Sequence, residues 1–329
     1  MKFLHTRRES LPTSLPTSLP TSGYNGGVPL DLAGIFPPVA TPFVDDEVDA
    51  VAMRSNVERW MRTGLRGVLL LGTDGEAPFV RDDEAVLIVA AARHAVPRDK
   101  VLLCGTGRQS TRDTIALTKA VAGAGADAVL VLTPSVYRNQ LTPGALVAHY
   151  RAIADASPVP VLLYNMPQAT GVTLTPAIVQ ELASHGNIAG IKESSGDIAV
   201  VGEHVARTPR DFQVVVGAAA SLYASLTVGA RGAIVAIANV VPELIVRLHG
   251  LQRAGKHDEA LALQQAIAPL AAAVTTGYGV PGLKAAMALT GYKPGQPRRP
   301  LAPIDDDGLR KIRGLLETLS TRAEALTVS

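Results

Sequence analysis

Val161-Leu162-Leu163-Tyr164-Asn165-Met166-Pro167 and, one helix-length segment later, Ile188-Ala189-Gly190-Ile191-Lys192-Glu193-Ser194-Ser195-Gly196 decide how this chain is read. Each opens on a short apolar run bounded by turn residues, the pattern of a strand buried on both faces. Each run ends in a residue able to do chemistry. An amine at a buried strand end loses solvation, and burial favours its neutral form, the nucleophile that condenses with a carbonyl to give a Schiff base. If the two runs are strands of one parallel sheet, Lys192 and Tyr164 emerge at the same carboxyl edge, where such folds put their sites. A phenol beside an amine relays protons. Taken singly, Lys192 reads equally as the first solvated residue past a strand, and Tyr164 as a packed ring with a satisfied hydroxyl. The pairing is what points to catalysis.

Outward from these two runs the same unit repeats. Strand-like segments at Gly34–Thr41, Gly67–Gly72, Val101–Gly105, Ala128–Thr133, Val161–Tyr164, Ile188–Lys192, Phe212–Gly217 and Ala233–Ala238 make eight. Between them lie amphipathic stretches such as Asp83–Ala95, Ser110–Ala124, Leu146–Ala156 and Thr175–His185, with apolar residues at helical spacing. Eight strand–helix units predict an α/β fold, a (β/α)8 TIM barrel over residues 31–241. Residues 242–329 read as a C-terminal helical extension, through Glu243–Arg253, His257–Val274 and Leu309–Leu326. Residues 1–30 are different material, with Leu-Pro-Thr-Ser starting at Leu11, Leu15 and Leu19; such a stretch builds no core and is expected to be a disordered Pro/Ser/Thr-rich tail.

Bulk properties narrow the partners. With 31 basic and 29 acidic residues the net charge is +2, which leaves no electrostatic footprint for nucleic acid or an anionic membrane. Apolar residues are 47% of the chain, but their runs fall short of the roughly 18 needed to span a bilayer. A cytoplasmic enzyme acting on a small molecule is the expectation. The single cysteine, Cys104, sits in the apolar run Val101-Leu102-Leu103-Cys104 and reads as a buried structural thiol. The seven histidines show no ligand spacing, and Asp305-Asp306-Asp307 reads as a solvated loop, so no metal is expected.

In a barrel, residues just past each strand share one pocket. The second strand ends in Leu71-Gly72-Thr73-Asp74-Gly75-Glu76, whose glycines let backbone amides approach an anion while Thr73 adds a hydroxyl. The fourth ends in Thr133-Pro134-Ser135-Val136-Tyr137-Arg138 and offers a second tyrosine; the seventh and eighth end in small apolar residues, Gly217-Ala218-Ala219-Ala220 and Ile237-Ala238-Asn239-Val240. Lys192, Tyr164, Thr73 and Tyr137 are the candidate catalytic residues, and Asp74, Gly75, Ser194, Gly217 and Ile234 the candidate substrate contacts.

On these motifs the chain from about Leu32 to Pro303 resembles the dihydrodipicolinate synthase and N-acetylneuraminate lyase superfamily of pyruvate-dependent class I aldolases. Gly72-Thr73-Asp74-Gly75-Glu76, Tyr164-Asn165-Met166-Pro167 with Thr170-Gly171, and Ile191-Lys192-Glu193 carry the likeness, in order and on the expected strands. The resemblance implies Lys192 as the Schiff-base lysine, Tyr164 as the proton shuttle that also positions the keto-acid carboxylate, and Thr73 as the hydroxyl linking it to a second tyrosine. It implies a homo-oligomer, tetramer or dimer, no cofactor beyond the covalent imine, and a 2-oxo acid substrate. Gln168-Ala169 stands where the synthase pattern has an arginine, Val136 stands where its tyrosine follows Thr-Pro-x, and Asp74 replaces threonine or asparagine. A carboxylate there disfavours an acidic substrate group unless neutralised, and favours a hydroxyl or an amine instead. Within the superfamily, Ala33–Val39, Tyr137-Arg138, Asp211–Val214 and Gly279–Lys284 resemble 4-hydroxy-2-oxoglutarate aldolases most. That likeness implies cleavage to pyruvate and glyoxylate, with Ser194 touching the distal carboxylate. The other readings are a synthase or sugar-acid dehydratase of the same superfamily, and, from another class, an inactive barrel with a binding or regulatory role.

Overall fold

Eight short parallel strands form a ring in the computed structural model, which describes residues 30–328. They are β1 (Ile35–Phe36), β2 (Gly67–Leu70), β3 (Val101–Gly105), β4 (Ala128–Leu132), β5 (Val161–Asn165), β6 (Ile188–Glu193), β7 (Gln213–Val216) and β8 (Gly232–Ile234). Neighbours in sequence are neighbours in space from β2 to β8, and β8 pairs with β1. The ring closes where Val39 donates to the Leu69 carbonyl at 2.8 Å and Leu69 to the Pro37 carbonyl at 3.0 Å. This is the TIM barrel that the eightfold repeat implies, and its sheet has no free edge. The segment at residues 1–29, read from sequence as a tail, lies outside the described residues.

Helices α1 (Ala50–Met61), α2 (Asp82–Arg93), α3 (Thr111–Gly123), α4 (Pro143–Ala156), α5 (Pro176–Leu182), α6 (Ile198–Arg207) and α7 (Leu222–Thr227) follow the first seven strands. Local chemistry starts several of them: Asp49, Ser110, Thr142, Thr175 and Asp197 each accept a backbone N–H of the first turn. Helix α8 (Pro242–Arg253) packs against α7 and β1, the place of an eighth outer helix, although the sequence boundary grouped it with the extension. Beyond it come α9 (His257–Ala272) and α10 (Gly279–Leu289), and α11 (Asp306–Val328) packs on both. His257–Gly277 is the one helical stretch among the described residues long and apolar enough to cross a bilayer; half of it is buried within the protein.

Strand ends differ from the sequence reading at both sides of the closure. Pro37 and Pro38 have no N–H to give, so β1 stops at Phe36 rather than running to Thr41, and β8 gives way after Ile234 to a tight turn at Ala236–Asn239. A hairpin of Phe43–Val44 with Glu47–Val48 was not anticipated. Its turn residues, Asp45 and Asp46, take left-handed backbone (φ 50° and 67°) without the Asn-Gly or Asp-Gly pair that advertises such turns.

The barrel interior is filled by side chains including Leu32, Phe36, Leu69, Leu103, Leu130, Leu162, Val215 and Ile234, and it continues upward into Tyr164. Alternate strand residues face outward onto the helices. Between β5 and β6 the register slips by one residue: Val161 pairs with Ile188, but Leu162 pairs with Gly190. Ala189 is the extra residue of a bulge, and because of it Tyr164 lies opposite Lys192 rather than Ile191.

Candidate active site

The register brings the two sequence-predicted residues together. Lys192 Nζ is 3.3 Å from the Tyr164 hydroxyl and 4.4 Å from the centre of its ring, and both residues are only 4% exposed. Phenol and ring face thus both solvate the amine. Thr73 Oγ1 lies 3.5 Å from the same hydroxyl, and the thioether of Met166 is 3.1 Å from it. Lysine, tyrosine and threonine therefore form a continuous hydrogen-bonded chain, with Met166 as a soft acceptor that the sequence reading passed over.

Thr73 is held there by a bent loop. Leu71 and Glu76, with φ of 56° and 57°, adopt left-handed backbone unusual for residues with side chains, and they bracket the turn Gly72–Gly75. Within it Gly75 donates to the Gly72 carbonyl and Glu76 to the Thr73 carbonyl, while Thr41 Oγ1 donates to the Gly75 carbonyl at 2.7 Å. A Cβ on Gly75 would fall 2.9 Å from the Val39 carbonyl oxygen, which is why the turn needs glycine there. The N–H groups of Thr73 and Asp74 have no protein acceptor among the described residues, which leaves them for an anion. Asp74 is half-buried, and enclosure by protein pushes its carboxyl up to about 6 against the opposing pull of Lys192.

Of the remaining candidates, Gly217 supplies space. A Cβ there would stand 1.9 Å from Ser194 Oγ and 2.9 Å from Lys192 Cε, so only glycine leaves both side chains where they are. The Ser194 hydroxyl is buried and has no hydrogen-bond partner among the described residues. Ile234, 1% exposed, belongs to the interior cluster that includes Tyr164. Tyr137 does not join the group: it is 75% exposed, beside Val136 at 62%, and no hydrogen bond ties it to Thr73 or Tyr164. The loop has already left the strand-end pocket five residues past β4.

One residue beyond Tyr164 and Lys192, Asn165 and Glu193 are also register partners, and they point to the opposite side of the sheet. Glu193 accepts from Asn165 Nδ2 at 2.7 Å, from the Ser195 N–H at 2.7 Å and pairs with His204 Nε2 of α6 at 3.1 Å. Burial pushes its carboxyl up, but these donors outweigh it and hold the group below the usual carboxylate range. No cluster of three or more metal-ligating side chains occurs among the described residues.

Residues 31–319 match the Dihydrodipicolinate synthetase family. A 4-hydroxy-tetrahydrodipicolinate synthase from Haloarcula marismortui is 34% identical over 294 residues, 89% of this chain and 95% of its own length. The chain belongs to the dihydrodipicolinate synthetase family. Also similar is an uncharacterized DapA-like lyase of Halobacterium salinarum, 36% identical over 282 residues, which are 85% of this chain and 92% of that protein. Among solved structures, a 4-hydroxy-tetrahydrodipicolinate synthase from Methylacidiphilum fumariolicum SolV superposes with a TM-score of 0.86 at 29% identity, covering 90% of this chain and all but 1% of its own. A prophage protein of the same family from E. coli K12, solved with pyruvate, gives 0.83 at 30% identity over 88% of this chain and 99% of that one. This dihydrodipicolinate synthetase family member is accordingly a carbon–carbon lyase of the class I aldolase type.

Proposed function

We propose that this enzyme binds a 2-oxo acid as a Schiff base on Lys192 and cleaves 4-hydroxy-2-oxoglutarate to pyruvate and glyoxylate. The observation that carries the imine chemistry is the 3.3 Å contact of Lys192 Nζ with the Tyr164 hydroxyl, extended to Thr73 at 3.5 Å. The amine adds to the C2 carbonyl, and the relay moves protons so that the carbinolamine oxygen leaves as water. The protonated imine then draws electrons from the C3–C4 bond. As that bond breaks, the C4 hydroxyl gives up its proton and glyoxylate departs, leaving an enamine on Lys192. Protonation at C3 through Tyr164 and a water, followed by hydrolysis, releases pyruvate and restores the amine.

The mouth supports an acidic substrate of this size. Ser194 offers an unpartnered hydroxyl near Lys192, and the Arg138 guanidinium packs onto Gly171, beside the exposed Ala169 where the synthase pattern has its arginine. The relatives' synthase names favour a second reading, condensation of pyruvate with an aldehyde, through the same enamine run in reverse. Exposure of Val136 and Tyr137 supports a homotetramer or dimer in which this loop meets another subunit. The test is borohydride reduction in the presence of pyruvate, read by intact mass and peptide mapping. An adduct on Lys192, with glyoxylate formed from 4-hydroxy-2-oxoglutarate, is the expected result. An adduct without glyoxylate would shift the assignment to the synthase or to a sugar-acid dehydratase. The absence of any adduct would leave a barrel with a binding role.

A further inference from the structure

Asp74 stands where the chemistry just proposed brings a second negative charge. In an imine at C2 of a 2-oxo acid, the substrate carboxylate is bonded to the carbon that holds Lys192 Nζ, so its position is fixed within a few Å of that nitrogen. Thr73, next to Asp74, is in hydrogen-bonding reach of Tyr164, which itself touches Nζ, and the Thr73 and Asp74 amides lack protein acceptors. The substrate carboxylate therefore arrives at the loop that carries Asp74. Two carboxylates confined together do not both remain ionised; one takes a proton.

We infer that Asp74 receives the 2-oxo acid in its neutral form, donating its carboxyl proton as a hydrogen bond to the substrate carboxylate, so that binding takes up one proton. The inference rests on the Lys192 imine reading above. The charge that acts on Asp74 is that of Lys192 from β6, and the neighbouring Thr73 reaches the Tyr164 hydroxyl of β5. Glu76, two residues along the same loop, is occupied elsewhere: its Oε1 is 2.6 Å from Lys284 Nζ of α10. Among the described residues only Lys192 acts appreciably on Asp74 as a charge, and its pull does not overcome burial, which leaves the carboxyl at about 6. The free enzyme at neutral pH is then mostly ionised at Asp74, and the substrate binds the minority form. Apparent affinity falls about tenfold for each pH unit above that value.

Condensation at Lys192 releases one water and itself takes up a proton when the amine enters neutral, so the uptake that reports Asp74 is the part lost in Asp74→Asn. The experiment is calorimetric titration of the full-length protein with pyruvate at pH 5.5 to 8, in buffers of different ionisation enthalpy. It is run alongside borohydride mapping of Lys192, for the wild type and for Asp74→Asn. Wild type is expected to take up close to one proton more than Asp74→Asn at pH 8 and to bind pyruvate about tenfold more weakly at pH 8 than at pH 7. Asp74→Asn, a permanent neutral donor, is expected to bind with a dissociation constant changing less than twofold across that range. Wild-type binding without proton uptake overturns the inference whether or not the variant folds, as does an Asp74→Asn slope equal to the wild type's. A Lys192 adduct with pH-independent binding defeats this inference alone; no adduct defeats the imine reading beneath it.

Discussion

At the scale of single residues, the hydroxyl of Tyr164 is the group on which the proposed chemistry turns. It is the hydroxyl in contact with Lys192 Nζ, and it joins that nitrogen to Thr73. Tyr164→Phe keeps the ring that lies 4.4 Å from Lys192 Nζ, and with it the packing in the barrel interior, while removing the proton path. We expect kcat/KM to fall by about 10²- to 10⁴-fold, the usual worth of a positioned general acid–base group, with the Tm little changed and Lys192 still trapped by borohydride at long incubation. A loss below tenfold would show that water or another side chain carries the protons. Gly217 sets the complementary limit at this scale, because space beside Lys192 is as necessary as the groups around it: a Cβ there overlaps Ser194 Oγ.

Between elements, a polar cluster on the other face of the same two strands fastens the ends that carry Tyr164 and Lys192. Glu193 ties β6 to Asn165 of β5 and to His204 of α6, and Asn165 Oδ1 in turn accepts the Leu174 N–H at 2.9 Å ahead of α5. Since Glu193 and His204 side chains are fully buried, replacing the carboxylate by an amide leaves at least one buried partner unmatched. Glu193→Gln is expected to lose about 1–3 kcal/mol of stability by denaturant unfolding. The pH dependence has a definite sign. Because folding lowers the Glu193 carboxyl below its ordinary value of 4.5, its contribution is complete above that pH and is lost as pH falls through the lower folded value. Wild-type stability should therefore drop more steeply than that of Glu193→Gln on acidification below about 4.5; parallel curves would show that the ionised form gains nothing from its donors. This cluster was partly legible beforehand. Tyr164-Asn165 and Lys192-Glu193 repeat one pattern at two strand ends, and β2 to β7 stand out as apolar runs because both faces of a parallel barrel are covered. What sequence did not disclose was the bulge at Ala189, since a one-residue slip leaves no compositional trace, and the exposure of Tyr137, since strand-end reasoning says nothing about where a loop goes five residues on.

Over the whole molecule, the Gly72–Gly75 loop is held by residues from the far end of the chain. Lys284 of α10, 2% exposed, places its ammonium 2.6 Å from Glu76 Oε1 and donates to the Thr41 and Gln296 carbonyls at 2.7 Å each. Arg298, 222 positions from Glu76, gives its N–H to Glu76 Oε2 at 2.7 Å and its guanidinium to Glu84, with the Phe43 ring lying against both cations. Such pairings are invisible in a linear reading because neither end carries a local signal of the other. Their consequence is that the C-terminal helices are tied to the Gly72–Gly75 loop. Glu76 is the left-handed residue that closes the Gly72–Gly75 turn, and a strained backbone persists only where its surroundings over-determine it. Lys284→Met removes one member of a buried ion pair and strands the other, a change expected to cost about 3–5 kcal/mol. Lys284→Met with Glu76→Gln should recover part of that loss, because no uncompensated charge remains. Stability alone does not identify a positioning role, so the decisive measurement is steady-state kinetics well below the Tm of both variants. If Lys284 positions the loop, kcat falls and KM for the 2-oxo acid rises in both, since Thr73 and the free amides lose their fixed placement even when the charge penalty is relieved. Unchanged kcat and KM in a folded Lys284→Met protein would mean that the turn holds its own shape and that the C-terminal helices stabilise the barrel without shaping the site.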